Sequence, residues 1–312
     1  MPSTPCPPVS RRSPVTRRNV LPTLAGALVV IGVLAFVLAD SRDEFAVALG
    51  SASVWILLAA TALQLVALVS RTEAWHVTVS AAGGRIGRRC LYRAASVGYV
   101  GNQLHNQLGA AARIATLRRT ARDDCPRVPA LIAAEVPILT IEAALAALTS
   151  FTLVGPLGLP WWLPLVFLAV AVAIAAGLRQ AAGRWREGFW SGLAVLRCMD
   201  GGRRVVALVL VAVFAQIGRN WLMLSAVGVD ASVLDAIAVL IAMVILSQLP
   251  IGPSVGAAAV VVILGSNGVA LAAAAGVLLT ATGTAGALVY AGWAATDRLW
   301  LVRPWRPVPV SP

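Results

Sequence analysis

The chain has 312 residues, of which 59% are hydrophobic and 12% are charged, and its formal net charge is +12. Soluble domains carry about 25% charged residues, whereas here the apolar residues fall in long charge-free blocks, so the composition excludes a soluble protein. All 25 basic residues are arginine, and they cluster between the apolar blocks. This placement is typical of the cytoplasmic loops of membrane proteins, so we assign the positive charge to membrane topology rather than to nucleic-acid binding.

In chain order, residues 1–19 are rich in Pro, Ser and Arg and are predicted to be a disordered cytoplasmic N-terminus. A single transmembrane domain is predicted over residues 20–300, and a short C-terminal tail over 301–312. A transmembrane helix needs roughly 20 apolar residues. The blocks that qualify are Val20 to Ala39, Ser53 to Ser70, Val128 to Val154, Trp161 to Leu178, Val205 to Val227, and the 61 uncharged residues Ala236 to Thr296, which hold about three passes.

The predicted fold is an all-α polytopic membrane protein, because the blocks lack the alternation of a β-barrel. Arginines precede the first block and acidic residues follow it, which predicts a cytoplasmic N-terminus in a cell-membrane protein. Counting Ser254 to Gly265 as a short crossing gives about eight helices and places the C-terminal arginines inside. Treating that segment as re-entrant gives seven and places them outside, so we prefer eight.

The stretch GYVGNQLHNQLGAAAR, from Gly98 to Arg113, is unusually polar for a segment beside apolar helices. Arginine clusters lie on both sides of it, so both of its ends are predicted to be cytoplasmic. It is too short for two crossings, and a re-entrant, broken-helical element fits. The alternative is an amphipathic helix that lies in the membrane interface.

A second stretch repeats this pattern. QLHNQLGAAA, at Gln103 to Ala112, has a counterpart in QLPIGPSVGAAA, at Gln248 to Ala259. Paired segments interrupted by Gly or Pro in the two halves of a membrane protein are a pointer to a central transport site. We therefore predict one or two re-entrant or broken segments around such a site.

The two stretches resemble the two signatures of the lysylphosphatidylglycerol synthase transmembrane region, a flippase-like family of integral membrane proteins. The residues that match the first signature are Gly98, Asn102, Leu104, Gly109 and Arg113, and those that match the second are Leu249, Pro250, Pro253 and Gly256. The resemblance, which covers the chain from the first span to Trp300, implies a lipid-translocating protein without a synthase domain. His105, Ala110 and Ala259 depart from the signatures, and the last two stand where the family has Glu.

Three ionisable residues within apolar blocks are further candidates, because charged groups in a membrane interior usually serve function. Glu135 and Glu142 are seven residues apart and share a helix face. Arg219 lies inside a later block, beside Gln216 and Asn220. We predict that one of the glutamates pairs with Arg219, either to fix helix packing or to form a head-group or ion site. The alternative is that these side chains extend to the membrane interface.

The predicted function is translocation of a lipid or lipid-linked amphiphile between leaflets. Alternatives are a membrane enzyme or accessory factor for lipid- or polyprenyl-linked sugar transfer, and a degenerate family member with a scaffolding role. No catalytic residue, metal or cofactor is predicted, and the expected partners are membrane lipids, anionic or polyprenyl-linked. The predicted substrate-binding residues are Asn102, Gln103, His105, Gln107, Gly109, Arg113, Glu135, Glu142, Arg219, Gln248, Pro250, Pro253 and Gly256.

Overall fold

The computed structural model describes residues 42–104, 106–121, 125–184, 188–197, 199–247, 255–265 and 268–300. Within these ranges the chain forms helices and turns and contains no strand, which confirms the predicted all-α fold. The predicted N-terminus at 1–19, the first span Val20 to Ala39 and the tail at 301–312 lie outside the described residues.

The helices follow one another through short turns. In chain order they are α1 (Arg42–Ser51), α2 (Val54–Ala81), α3 (Arg88–Leu104), α4 (Asn106–Thr120), α5 (Val128–Ala133), α6 (Val136–Thr149), α7 (Val154–Leu157), α8 (Leu163–Arg184), α9 (Met199–Ala226), α10 (Val233–Leu246), α11 (Val255–Leu264) and α12 (Val269–Trp300). Two 3₁₀ segments, Ser150–Leu153 and Gly188–Arg197, precede α7 and α9.

Local sequence explains several helix ends. Gly83, with φ +92°, and Gly228, with φ +81°, follow the last residues of α2 and α9 and take up the left-handed conformation that a helix C-terminus favours. Ser232 and Asp235 form a capping box that begins α10. Proline at the second position of α6 is tolerated because that amide has no partner within the helix.

Five helical segments within the described residues are long and apolar enough to cross a membrane: Val54–Ala81, Val128–Leu157, Leu163–Arg184, Asp200–Ala226 and Val269–Thr296. The predicted count of about eight is not confirmed. At 1.5 Å per residue, α10 and α11 reach only about 21 and 15 Å, against a hydrocarbon core of about 30 Å.

The outer surface of the bundle is apolar, as expected of a membrane protein. On α8, Phe167, Val170 and Ile174 expose 45%, 51% and 54% of their surface. A helix that presents large apolar side chains outward is suited to hydrocarbon rather than to water.

Small residues allow the long helices to approach closely. α2 lies along α9, with Ala67, Ala212 and Ala215 buried between them. α11 packs against α12, where a Cβ atom at Gly256 would lie 2.5 Å from Thr280 Oγ1 and 2.8 Å from the carbonyl oxygen of Gly276. Such contacts are the usual basis of helix association in a membrane, where packing replaces the hydrophobic effect.

Candidate functional site

The polar stretch from Gly98 to Arg113 is a helical hairpin formed by α3 and α4. α3 ends at Leu104, α4 begins at Asn106, and the outer ends of the two helices meet where Cys90 Sγ lies 2.9 Å from Thr120 Oγ1. The chain therefore enters and leaves the hairpin at the same end, as a re-entrant element requires. The depth of the hairpin in the membrane stays a prediction.

Glycines bring the two arms of the hairpin together. A Cβ atom at Gly101 would lie 3.0 Å from the Cα atom of Gly109, and a Cβ atom at Gly109 would lie 2.5 Å from the carbonyl oxygen of Gly98. Both contacts involve backbone atoms, which cannot rotate away as a side chain can. Gly98 and Gly109, which match the first signature, therefore allow the two arms to pack closely in this chain.

A small polar cavity of about 60 Å³ lies between the hairpin and the start of α6. Four predicted site residues come together in its lining: Asn102, Gly109, Arg113 and Glu135. Tyr99, Ala110 and two small residues of α3 complete the wall. Since one water molecule occupies about 30 Å³ of the liquid, this space would hold a few water molecules or one small ion.

Arg113 is the central charge of this cavity. Its Nη2 atom donates to Glu135 Oε1, and its guanidinium lies 4.2 Å from the ring centroid of Trp75. The side chains of Arg113 and Glu135 are only 16% and 20% exposed. Among the described residues, the buried Nε atom of Arg113 has no hydrogen-bond partner. The guanidinium at this cavity therefore takes part in an ion pair and a cation–π contact and keeps one N–H group that none of these residues accepts.

Glu142, two helical turns beyond Glu135 on α6, has a different partner. Arg71 of α2 donates from Nε and Nη2 to Glu142 Oε1, at 2.8 and 2.5 Å. The prediction that Glu135 or Glu142 pairs with Arg219 is therefore wrong. The predicted end of the second span at Ser70 is also wrong, because α2 continues to Ala81 and carries Arg71 in its interior.

Arg219 lies apart from the cavity, on α9. It is 5% exposed and donates from Nη1 to Gln64 Oε1 of α2 and, at 3.4 Å, from Nη2 to Asn220 Oδ1. Its buried Nε atom has no hydrogen-bond partner among the described residues. In the part of the chain that the structure describes, this guanidinium is held by amides and forms no ion pair.

Hydroxyl and amide groups connect the hairpin to α2 and α12. Tyr99 Oη lies 3.1 Å from Thr72 Oγ1, and Tyr290 Oη donates to the same hydroxyl at 3.0 Å. At the tip of α3, the predicted site residue Gln103 accepts a hydrogen bond of 3.0 Å from Thr284. Among the described side chains, this hydrogen bond joins the tip of α3 to α12.

Sequence reasoning missed Arg71, Trp75 and Tyr99. Arg71 and Trp75 are four residues apart, so they share a helix face, and both approach carboxylate or guanidinium groups. The four-residue spacing is visible in the sequence. The apolar block ends at Ser70, however, so hydropathy alone does not include Arg71 and Trp75 in the helix.

The second signature is described only in part. Gln248, Pro250 and Pro253 lie outside the described residues, as does His105, and Gln107 belongs to α4 although its side chain is not described. Gly256 is buried against α12 and does not line the cavity. Its described role is close helix packing.

Two comparisons with known proteins gave no relatives: no protein-family model matches the chain, and no curated protein matches it. Over the described residues, no group of three or more His, Cys, Asp or Glu side chains is placed to hold a metal ion. The assignment of a function therefore depends on the geometry of the cavity and on the signatures in the sequence.

Proposed function

We propose that the chain moves a lipid, or a lipid-linked amphiphile, between the leaflets of a cell membrane. The observation that carries this proposal is the polar cavity within an otherwise apolar bundle, which is lined by Asn102, Arg113 and Glu135. Placing charge in a membrane interior costs free energy, which favours a functional reason for it. Membership of the flippase-like family, with the N-terminus in the cytoplasm, is part of the same proposal.

Transport requires the hairpin to move. A cavity of about 60 Å³ is well below the roughly 300–1,000 Å³ of typical ligand pockets. The contacts that tie the hairpin to its surroundings include Arg113 with Glu135 and Gln103 with Thr284, and in this proposal these two break when a head group enters. Each released group can then hydrogen-bond a phosphate or a sugar hydroxyl.

The path beyond the cavity is proposed to include the remaining polar residues of both signatures. His105 and Gln107 lie in sequence at the tip of the hairpin, and Gln248, Pro250 and Pro253 lie just before α11. Backbone groups that are not satisfied within a helix can serve as ligands when they line a cavity.

The test is reconstitution of the purified full-length protein in liposomes that contain labelled anionic, cationic or polyprenyl-linked lipids. A membrane-impermeant quencher removes the fluorescence of label in the outer leaflet. The further loss of fluorescence, from label that began in the inner leaflet, then measures exchange. We expect faster exchange of at least one lipid class, and a strong reduction by Arg113→Gln. The matched control is Arg118→Gln, which removes a charge from the exposed face of the same helix and should leave exchange unchanged.

A folded, monodisperse protein that accelerates exchange of none of the three lipid classes would defeat the proposal. The remaining readings would then be an enzyme or accessory factor, or a scaffold. Equal loss of exchange in both variants would also contradict the site, because it would show that charge anywhere on α4 matters rather than the cavity.

A further inference from the structure

A second depression lies on the outside of the bundle, where α8 ends and α9 begins. Its volume is about 450 Å³, within the roughly 300–1,000 Å³ of ligand pockets. Its walls come from α6, the 3₁₀ segment Gly188–Arg197 and α9, and its rim carries one arginine from α8 and one from α9. The lining includes Pro137, Ile141, Val195, Leu210, Arg179 and Arg203.

The walls of this groove match a hydrocarbon chain. The side chains of Pro137, Ile141, Val195 and Leu210 offer no charge and no hydrogen-bond donor. The groove follows α9 from Arg203 to Leu210, which is about 10 Å at 1.5 Å per residue. An apolar channel on the outer face of a membrane bundle is filled by lipid rather than by water.

The rim of the groove matches a phosphate. Arg179 and Arg203 are exposed, and among the described residues neither forms an ion pair. Asp200, the acidic residue one turn before Arg203, does not neutralise it. Arg179 of α8 and Arg203 of α9 both line this groove, so both guanidinium groups contribute positive charge there.

We propose that this groove is a binding site for one anionic phospholipid, with an acyl chain along its apolar walls and the phosphate between Arg179 and Arg203. Basic pockets between transmembrane helices recognise anionic head groups in this way. The site is separate from the cavity at the hairpin and does not depend on the translocation proposal. Its occupant is a resident lipid that seals the junction of α6, α8 and α9.

The test uses the full-length protein in detergent with phosphatidylglycerol or phosphatidylcholine, and native mass spectrometry counts the lipids that stay bound. The wild type should retain one phosphatidylglycerol in preference to phosphatidylcholine. Because each arginine near a membrane surface strengthens binding of an anionic lipid by roughly fivefold, the double variant Arg179→Gln/Arg203→Gln should weaken it by roughly 25-fold. The matched control is Arg85→Gln/Arg89→Gln, which removes two exposed arginines away from the groove.

A second variant keeps both arginines and fills the groove. Ala207→Phe places a ring among the lining residues and should also release the lipid, whereas Ala173→Phe, on the exposed surface of α8, should not. Retention of phosphatidylglycerol by both groove variants would overturn the proposal. Full competition by inorganic phosphate would also overturn it, because a site for a free anion does not need the apolar walls.

Discussion

The ion pair between Arg113 and Glu135 predicts that either single variant is less stable than the double variant. Glu135→Leu leaves the largely buried guanidinium of Arg113 without its partner, and a guanidinium stays charged in a protein. Arg113→Leu leaves the carboxylate of Glu135 without its partner. The double variant removes both charges at once.

The magnitude follows from the burial of the pair. Breaking a buried ion pair by removing one partner costs about 3–5 kcal/mol. Since the two side chains are 16% and 20% exposed, we reduce this to about 2–4 kcal/mol. For a chain of 312 residues, with an unfolding entropy of about 2.1 cal/mol/K per residue, the loss corresponds to a decrease in Tm of about 3–6 °C. The double variant should have a Tm close to that of the wild type, because replacing a whole pair by apolar residues is often neutral.

The assay is the fraction of monodisperse protein that remains after heating in detergent, measured by size-exclusion chromatography. Each single variant should lose monodisperse protein at a lower temperature than the double variant. The control is Arg88→Leu, whose partner Glu73 is 3.7 Å away and whose side chain is 61% exposed, so less than about 1 kcal/mol is expected. Additive losses in the double variant would refute the pairing.

Three further outcomes are expected. Gly256→Val should destabilise the protein by about 1–3 kcal/mol, because its side chain would overlap the backbone of α12. Gly177→Val should be tolerated in the same heating assay, because a Cβ atom at Gly177 would have no neighbouring side chain or helix of the described residues within 4 Å. Gln64→Leu should lower the Tm by removing an acceptor of the buried Arg219, and adding Arg219→Met should restore most of the loss. Burial raises the pKa of the Cys125 thiol, so less of it is thiolate near pH 7. Alkylation of Cys125 near pH 7, measured by mass spectrometry, should therefore be slower than alkylation of glutathione, and its rate should rise at alkaline pH.

The long apolar helices could be predicted from the sequence because hydrocarbon imposes a length and excludes charge. The predicted blocks Trp161 to Leu178 and Val205 to Val227 agree with Leu163–Arg184 and Asp200–Ala226 to within two residues at one end of each and differ by five or six at the other. α2 is a larger exception, because it runs past Arg71, whose charge is paired with Glu142. A hydropathy pattern does not reveal a partner from a distant part of the chain.

The candidate site was predicted in part for the same reason. Asn102, Gly109 and Arg113 lie on neighbouring turns of one hairpin, so local sequence was enough to group them. Glu142 lies on α6 and Glu135 is the residue just before that helix, and a sequence periodicity does not identify the helices that these two side chains meet. Contacts of α6 with α2 and α4 are decided by the packing of the whole bundle.

The two ion pairs of α6 also indicate which parts of the bundle can move. Glu142 binds Arg71 of α2, and α2 lies along α9 over much of its length, so these three helices form a frame. Glu135 instead binds Arg113 in the hairpin. In the translocation that we propose, a movement of the hairpin breaks the second pair and leaves the first intact. On this proposal Glu135 stays with the frame, and Arg113 moves with the hairpin and engages the head group.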